Sequence, residues 1–151
     1  MTIEVLVPST IKIGGGAIFE ASSILKRLEV NHPLIVTDAF LVRVGLAESL
    51  RRQLENAGIA CGIYSETVPD PTTEAVAAGL LAFDQGKHDS LVSLGGGSPI
   101  DSAKAIGMLS SNGSRARDYK VPNEIPKKGP PPGDSHDCWH RVGGVALYRH
   151  H

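Results

Sequence analysis

The 151-residue chain has few of the residues that stabilise small secreted proteins or anchor membrane proteins. It contains two cysteines, Cys61 and Cys138, one tryptophan, and 5% aromatic residues. Two isolated cysteines exclude a disulfide framework, and no apolar run approaches the roughly 20 residues that cross a bilayer. Met1 is not followed by the basic and apolar segments of a signal peptide. We therefore expect a cytoplasmic, reduced protein with no membrane partner.

The charge of the chain is balanced, which removes any electrostatic reason to expect a nucleic-acid partner. Fifteen lysines and arginines stand against sixteen aspartates and glutamates, so the formal net charge is −1. Hydrophobic residues make up 41% and charged residues 21%, as is typical of a soluble globular protein. The length suits one domain, or one domain with a tail.

Short apolar runs alternate with helical periods over the first 110 residues. Strands are predicted at residues 34–37, 60–64 and 91–94, with one or two more between residues 4 and 14. Helices are predicted at about residues 17–28 and 46–57, from Thr72 or Thr73, and from Ser98. Strands that alternate with helices form βαβ units. The sequence therefore predicts an α/β fold, a Rossmann-like parallel sheet with helices on both faces.

Residues 94–104, Leu-Gly-Gly-Gly-Ser-Pro-Ile-Asp-Ser-Ala-Lys, carry the strongest functional signal. Three glycines leave a predicted strand, Ser98 is placed to cap the next helix, and Pro99 suits its first position. Glycine lets a ligand approach the backbone, and the N–H groups of a helix start attract an anion such as a pyrophosphate. A purely structural turn has the same glycines, so the glycines alone leave both interpretations open.

The pattern Gly-Gly-Gly-Ser-x-x-Asp-x-Ala-Lys resembles the characteristic element of the iron-containing alcohol dehydrogenases, which share their fold with dehydroquinate synthase and glycerol dehydrogenase. The resemblance covers residues from about 11 to about 131. It implies NAD as the cofactor, with Gly95, Gly96, Gly97 and Ser98 at its pyrophosphate. It also implies that Asp101 lies near the nicotinamide and the substrate, which makes Asp101 the candidate catalytic residue.

Two further aspartates match this family in order and spacing. Asp38 ends the second predicted strand, where a carboxylate accepts hydrogen bonds from the adenosine ribose and repels the 2′-phosphate of NADP. Asp70 lies in Val-Pro-Asp-Pro-Thr, which resembles a turn that the family places near the nucleotide. Each aspartate has a structural alternative, because this residue is common in turns and helix caps. Asp38 favours NAD over NADP.

For a complete enzyme of this family, the resemblance implies reversible hydride transfer between NAD(H) and an alcohol or aldehyde. Iron or zinc, held by one aspartate and three histidines of a helical second domain, polarises the substrate oxygen. That helical domain and its ligands are not found in these 151 residues. We therefore expect a truncated chain that keeps most of the NAD site and has little activity alone; a homo-oligomer is compatible with the sequence. The alternatives are a glycerol dehydrogenase or dehydroquinate synthase relative, or a non-catalytic nucleotide-binding module.

The last part of the chain differs in composition from the rest. Four of the six histidines, the tryptophan and Cys138 all lie within residues 129–151. We predict that residues 1–128 form the dinucleotide-binding domain and that residues 129–151 form an aberrant, disordered tail.

The codons of the tail offer a cause for this change. When the codons of residues 135–144 are read one base later, they permit Pro-Thr-Thr-Ala-Gly-Thr-Gly-Ser-Glu-Val, the loop that the family carries at this point. Trp139 has a single codon, so its shifted triplet with His140 must encode glycine. We therefore hypothesise a single-base frameshift near residue 131 or 132. The alternative is a metal site made by His136, Cys138 and His140, whose spacing matches no standard zinc pattern.

Two local features give further expectations. Glu29 follows the first predicted helix at a position where glycine is expected as the C-terminal cap, so this cap is weakened. His32 and His88 adjoin Pro33 and Asp89, and we predict that both histidines lie in surface loops.

Overall fold

The computed structural model describes residues 11–12, 16–112, 140–142 and 145–149, with side chains for residues 16–110. Its elements are β1 (Ile11–Lys12), a 3₁₀ turn (Ala17–Glu20), α1 (Ala21–Arg27), β2 (Pro33–Val36), α2 (Ala39–Arg43), α3 (Leu46–Asn56), β3 (Gly62–Tyr64), α4 (Thr73–Gln85), β4 (Ser90–Leu94), α5 (Gly97–Asn112), β5 (His140–Val142) and β6 (Val145–Arg149). Most of the strand region predicted at residues 4–14 lies outside the described residues. Within the described ranges, no helix combines the length and the apolar character needed to span a bilayer.

The strands form one six-stranded sheet in the order β1-β5-β6-β4-β2-β3. β2 runs parallel to both of its neighbours, with Leu34 beside Gly62 of β3 on one side and beside Leu91 of β4 on the other. Helices α2 and α3 connect β2 to β3, and α4 connects β3 to β4. Parallel neighbours need such crossover connections. The predicted α/β fold with a parallel sheet is confirmed for these three strands.

Helices cover both faces of the parallel strands because β2 and β4 are apolar on both faces. The cluster between the sheet and helices α1 and α3 includes Ile24, Leu25, Ile35, Leu50, Leu54 and Val92. The cluster on the opposite face, under helices α4 and α5, includes Leu34, Val36, Val76, Phe83, Leu91 and Ile106. Every residue of β2 and β4 is buried, as expected for strands with helices on both sides.

Two segments of the predicted disordered tail belong to the sheet, which corrects that prediction for these residues. β5 pairs with β1 and β6, and β6 runs antiparallel to β4, with Val145 opposite Leu94. The N–H and C=O groups on the side of β4 away from β2 need partners, because both faces of β4 are buried. The hairpin β5–β6 supplies these partners. The boundary predicted at residue 128 and residues 129–139 lie outside the described residues.

Glu29 occupies the position after α1 where the sequence suggests a glycine. Its φ angle is +56°, in the left-handed region that glycine adopts at low cost. Its N–H donates to the carbonyl oxygen of Lys26 at 3.0 Å, and the N–H of Val30 donates to that of Leu25 at 3.0 Å. These bonds close the helix end despite the unfavourable φ angle. The prediction of a glycine-type cap that carries glutamate is confirmed.

His88 lies just before β4 and is more enclosed than the surface position predicted for it. Its Nδ1 donates to the carbonyl oxygen of His32 at 3.1 Å, and the centres of the two rings are 4.4 Å apart. A Cβ atom at Gly86 would lie 2.2 Å from His88, and one at Gly62 would lie 2.8 Å from it. The imidazole therefore fills the space that these glycines leave. Burial lowers the pKa of His88 from its usual value, and the hydrogen bond to His32 opposes that shift.

The lowered pKa of His88 makes the free energy of unfolding depend on pH. Between the folded-state pKa and the usual value of 6.5, the unfolded chain binds more protons at this position than the folded chain. The free energy of unfolding therefore falls as the pH falls through this window. We expect urea unfolding to show a smaller loss of stability between about pH 7.5 and about pH 5.5 for His88→Gln than for the unchanged chain. Equal losses in the two proteins would contradict this expectation.

Candidate functional site

The carboxyl ends of β2, β3 and β4 meet at one edge of the sheet, and the buried residue Thr37 joins them. Its N–H donates to the carbonyl oxygen of Tyr64, the last residue of β3, at 2.9 Å. Its Oγ1 donates to the carbonyl oxygen of Leu94, the last residue of β4, also at 2.9 Å. Asp38 and Gly95, two of the predicted site residues, follow Thr37 and Leu94 directly. The fold therefore brings these two residues to one edge.

Asp38 caps helix α2 and also faces the glycine loop. Its Oδ1 accepts a hydrogen bond from the N–H of Leu41 at 2.9 Å, which is the usual interaction of an N-cap aspartate. Its Oδ2 lies 3.6 Å from the position that a Cβ atom on Gly95 would occupy. Among the described residues, none donates to Oδ2, and the side chain is half-buried. The structural interpretation of Asp38 is therefore confirmed, because Oδ1 caps the helix, and Oδ2, which faces the loop, is left for the predicted contact with a ribose.

The backbone at Gly95 requires glycine, whereas the backbone at Gly96 and Gly97, the two glycines that follow it, leaves space for a side chain. Its φ angle is +136°, and a Cβ atom there would lie 2.9 Å from Cγ of Pro99 and 3.1 Å from Cδ1 of Leu41. A side chain at Gly95 would therefore be strained and would clash. A Cβ atom on Gly96 or Gly97 would meet no atom within 4 Å, and both glycines are exposed. The absence of side chains at these two positions leaves open space over the backbone, where a ligand can approach closely.

Helix α5 begins at Gly97, two residues before the first helical position that the sequence predicts. The N–H of Ile100 donates to the carbonyl oxygen of Gly96 at 3.4 Å, so Gly96 is the capping residue. The prediction that Ser98 caps the helix and that Pro99 opens it is wrong. Pro99 is tolerated at the third position because the first N–H groups of a helix have no acceptor within it. The N–H groups of Gly97 and Ser98 lack an acceptor within the helix for the same reason, and they suit an anion.

The two other predicted aspartates lie at different distances from this loop along the chain. Asp101 lies one helical turn after Ser98 on α5, is exposed, and has its Oδ1 3.6 Å from Nζ of Lys104. Asp70 is exposed in the turn before α4 and has a φ angle of +52°. The structure therefore brings Asp38 beside Gly95, and Ser98 and Asp101 follow the glycines on α5. The assignment of Asp70 to the nucleotide stays a prediction.

The part of the chain that the structure describes brings no set of metal ligands to this loop. Within the described residues, no three side chains of histidine, cysteine, aspartate or glutamate come close enough to hold a metal ion. His136 and Cys138, two of the three residues of the alternative metal site, lie outside the described residues, and the side chain of His140 is not described. The polar groups that the site offers a ligand are backbone N–H groups and the carboxylates of Asp38 and Asp101.

Comparison with protein families shows which family the chain matches over most of its length. The family described as "Iron-containing alcohol dehydrogenase" matches residues 8–133 of the chain. An NAD-dependent methanol dehydrogenase of Bacillus methanolicus is 41% identical over 121 residues, which are 80% of this chain and 32% of that protein. A lactaldehyde reductase of Escherichia coli K12 is 38% identical over 112 residues, which are 74% of this chain and 29% of that protein. The chain spans about a third of the length of these relatives.

Solved structures agree with this comparison. A 1,3-propanediol oxidoreductase superposes with a TM-score of 0.70 at 32% identity, over 74% of this chain and 29% of that chain. A sulfoacetaldehyde reductase from Bifidobacterium kashiwanohense, solved in complex with NAD+, superposes with a TM-score of 0.75 over 83% of this chain and 33% of that chain. The second structure is 24% identical and supports the fold alone.

The different surroundings of the glycines predict different effects of alanine. Gly95→Ala should lower the free energy of unfolding by about 2 kcal/mol, because the methyl group clashes and the φ angle becomes strained. Gly97→Ala should change it by less than about 0.5 kcal/mol, because its methyl group projects into open space from a helical residue. Chemical denaturation of the two variants measures both values. Equal destabilisation would contradict the loop geometry.

Proposed function

The chain belongs to the iron-containing alcohol dehydrogenase family, and we propose that it supplies the nucleotide-binding half of an NAD-dependent alcohol dehydrogenase. The observation that carries this proposal is the open space over Gly96 and Gly97 at the start of α5, directly after Gly95, whose Cβ position lies 3.6 Å from Oδ2 of Asp38. A pyrophosphate suits the space because helix N–H groups surround it, and a ribose hydroxyl suits the carboxylate.

In this proposal the site residues bind different parts of NAD. Gly96, Gly97 and Ser98 hold the pyrophosphate through backbone N–H groups, and Gly95 makes the turn that positions them. Asp38 accepts a hydrogen bond from the adenosine ribose, and its negative charge repels the 2′-phosphate of NADP. NAD supplies the carbon that accepts or releases a hydride, and the protein supplies its position.

Two aspartates have less direct parts in the proposal. Asp101 lies one turn along α5 from the pyrophosphate site, and we assign it to the nicotinamide and substrate end. Asp70 has no described contact with the loop, so its assignment near the nucleotide rests on the motif of residues 68–72.

The alcohol or aldehyde substrate, and the iron or zinc that would polarise it, belong to the proposal for the complete enzyme. The relatives named above include a methanol dehydrogenase and a lactaldehyde reductase, and they are about three times as long as the matched segment. For the 151 residues themselves the proposal is NAD binding with little or no turnover. A cytoplasmic location is part of it, supported by the small number of cysteines, two in 151 residues.

A second function, that of a nucleotide-binding module without catalysis, is favoured by the hairpin β5–β6. Such a module needs a sheet that is complete within the chain, and the hairpin pairs along the whole length of β4. Tight NAD+ binding by the isolated chain would favour this second function over that of a fragment.

The frameshift hypothesis concerns the same hairpin and has its own test. A single-base shift near residue 131 would explain why the shifted codons of residues 135–144 permit the family loop. We expect genomic sequencing across these codons to show one missing or added base, with a helical domain encoded downstream in the restored frame. A confirmed stop codon with no such domain downstream would contradict the hypothesis.

NAD binding is tested on the full 151-residue chain by calorimetric titration. We expect the unchanged chain to bind NAD+ and Gly97→Ala to bind it at least about tenfold more weakly while it remains folded. We expect Asp38→Asn to raise affinity for NADP+ relative to NAD+ by about tenfold, because asparagine still caps α2 but no longer repels a phosphate.

Asp84→Asn is the matched control for the charge change. It removes the same charge from an exposed residue in the last turn of α4, away from the carboxyl edge of the sheet. We expect its preference for NAD+ to equal that of the unchanged chain. Absence of NAD+ binding by the unchanged chain would overturn the proposed function, and an unaltered preference in Asp38→Asn would overturn the role of Asp38.

A further inference from the structure

Thr37 makes three buried hydrogen bonds at the edge of the sheet where the proposed nucleotide site lies. Its Oγ1 donates to the carbonyl oxygen of Leu94 at 2.9 Å. Its N–H donates to the carbonyl oxygen of Tyr64 at 2.9 Å, and its carbonyl oxygen accepts from Oγ1 of Thr67 at 2.7 Å. The side chain is fully buried. One residue therefore bonds to the last residue of β3, to the segment that follows β3 and to the last residue of β4.

The hydroxyl of Thr37 extends the connection between β2 and β4 beyond their paired residues. The paired register of these strands ends with Val36 opposite Ser93. Beyond this pair, the chains diverge into α2 and into the glycine loop. The bond from Thr37 to Leu94 joins them one residue further along, directly before Asp38 and Gly95.

The two groups proposed to bind the nucleotide follow the two residues of this bond in the chain, since Asp38 comes after Thr37 and Gly95 comes after Leu94. Asp38 Oδ2 lies 3.6 Å from the position of a Cβ atom on Gly95, so the carboxylate and the glycine turn are close neighbours. Their relative position depends on the two residues that precede them, because each backbone segment leaves the sheet at that point. A buried hydroxyl that bonds a carbonyl is costly to break, since the carbonyl would be left without a partner.

We propose that Thr37 is a positioning residue that sets the distance between the ribose-binding carboxylate of Asp38 and the pyrophosphate-binding glycine loop. This role rests on the proposed function and adds to it a residue that touches no ligand. A ligand that spans both groups, such as ADP or NAD+, requires the correct distance. A ligand that uses one group alone, such as adenosine or inorganic pyrophosphate, does not.

Three variants of the full chain separate this role from a general loss of stability. Thr37→Val keeps the shape but removes the hydroxyl, and Thr37→Ser keeps the hydroxyl. Thr67→Val removes a buried hydroxyl that bonds the carbonyl oxygen of the same Thr37 but has no bond to Leu94. Thr67→Val is therefore the matched control, with a similar bond lost on the side of β3.

Titrations with NAD+, ADP, adenosine and inorganic pyrophosphate, followed by NMR chemical shifts to include weak binding, give the readout. We expect Thr37→Val to bind NAD+ and ADP about tenfold more weakly and to bind adenosine and pyrophosphate within about twofold of the unchanged chain. Thr37→Ser and Thr67→Val should bind ADP within about twofold of the unchanged chain. If Thr37→Val does not fold, Thr37→Cys, with its weak S–H donor, replaces it, with a loss of about threefold expected.

The results that would contradict this proposal distinguish failure of the proposed function from failure of the role of Thr37. Absence of NAD+ binding by the unchanged chain overturns the proposed function and this role together. Binding by the unchanged chain with equal ADP affinity in Thr37→Val overturns the role of Thr37 alone. An equal loss of ADP affinity in Thr67→Val, or an equal loss for all four ligands in Thr37→Val, shows a general structural effect and also overturns it.

Discussion

Burial of β2 and β4 on both faces is the constraint on which the rest of the molecule depends. Helices α1 and α3 cover one face and α4 and α5 the other, so no side chain in the middle of these strands reaches solvent. The polar groups available to a ligand are therefore restricted to the points where the strands end. Thr37 closes that edge with buried hydrogen bonds, and Asp38 and Gly95 begin immediately beyond it. The position of the site follows from the packing of the core.

The same constraint explains the importance of the hairpin β5–β6. A strand that is buried on both faces cannot leave its backbone groups without partners along an edge. β2 satisfies one side of β4, and β6 satisfies the other, with pairs from Ser90–Arg149 to Leu94–Val145. Residues whose composition suggests an aberrant tail thus complete the sheet. Their role bears directly on whether the chain acts as a fragment of a longer enzyme or as a module of its own.

The sequence predicts correctly those elements whose apolar pattern matches their burial. It predicts wrongly, or misses, those elements whose pattern and burial differ. The runs at residues 34–37 and 91–94 predict β2 and β4 because continuous apolar segments suit strands buried on both faces. The sequence does not predict helix α2, since its apolar residues Phe40 and Val42 are exposed and mark no buried stripe. The sequence predicts a surface position for His88 because its neighbours are polar, whereas its imidazole fills the space left by Gly86, two residues before it, and by Gly62, which is distant along the chain. The sequence predicts the start of α5 two residues too late, because glycine is a poor helix former, yet Gly97 is helical.

The sequence alone determined the fold class, the strand order along the chain and the glycine loop, because hydrophobic periodicity and glycine chemistry are local properties. The resemblance to the iron-containing alcohol dehydrogenases, which places a carboxylate at the end of this strand, also singles out Asp38. The tertiary structure alone decided that Oδ2 of Asp38 faces Gly95, that Thr37 connects three strand ends, and that β6 pairs with β4. Each of these depends on residues more than 50 positions apart in the chain, as in the bond between Thr37 and Leu94 with a separation of 57. Such contacts arise only when the strands have paired, and the pattern within one segment does not show which distant residue will lie beside it.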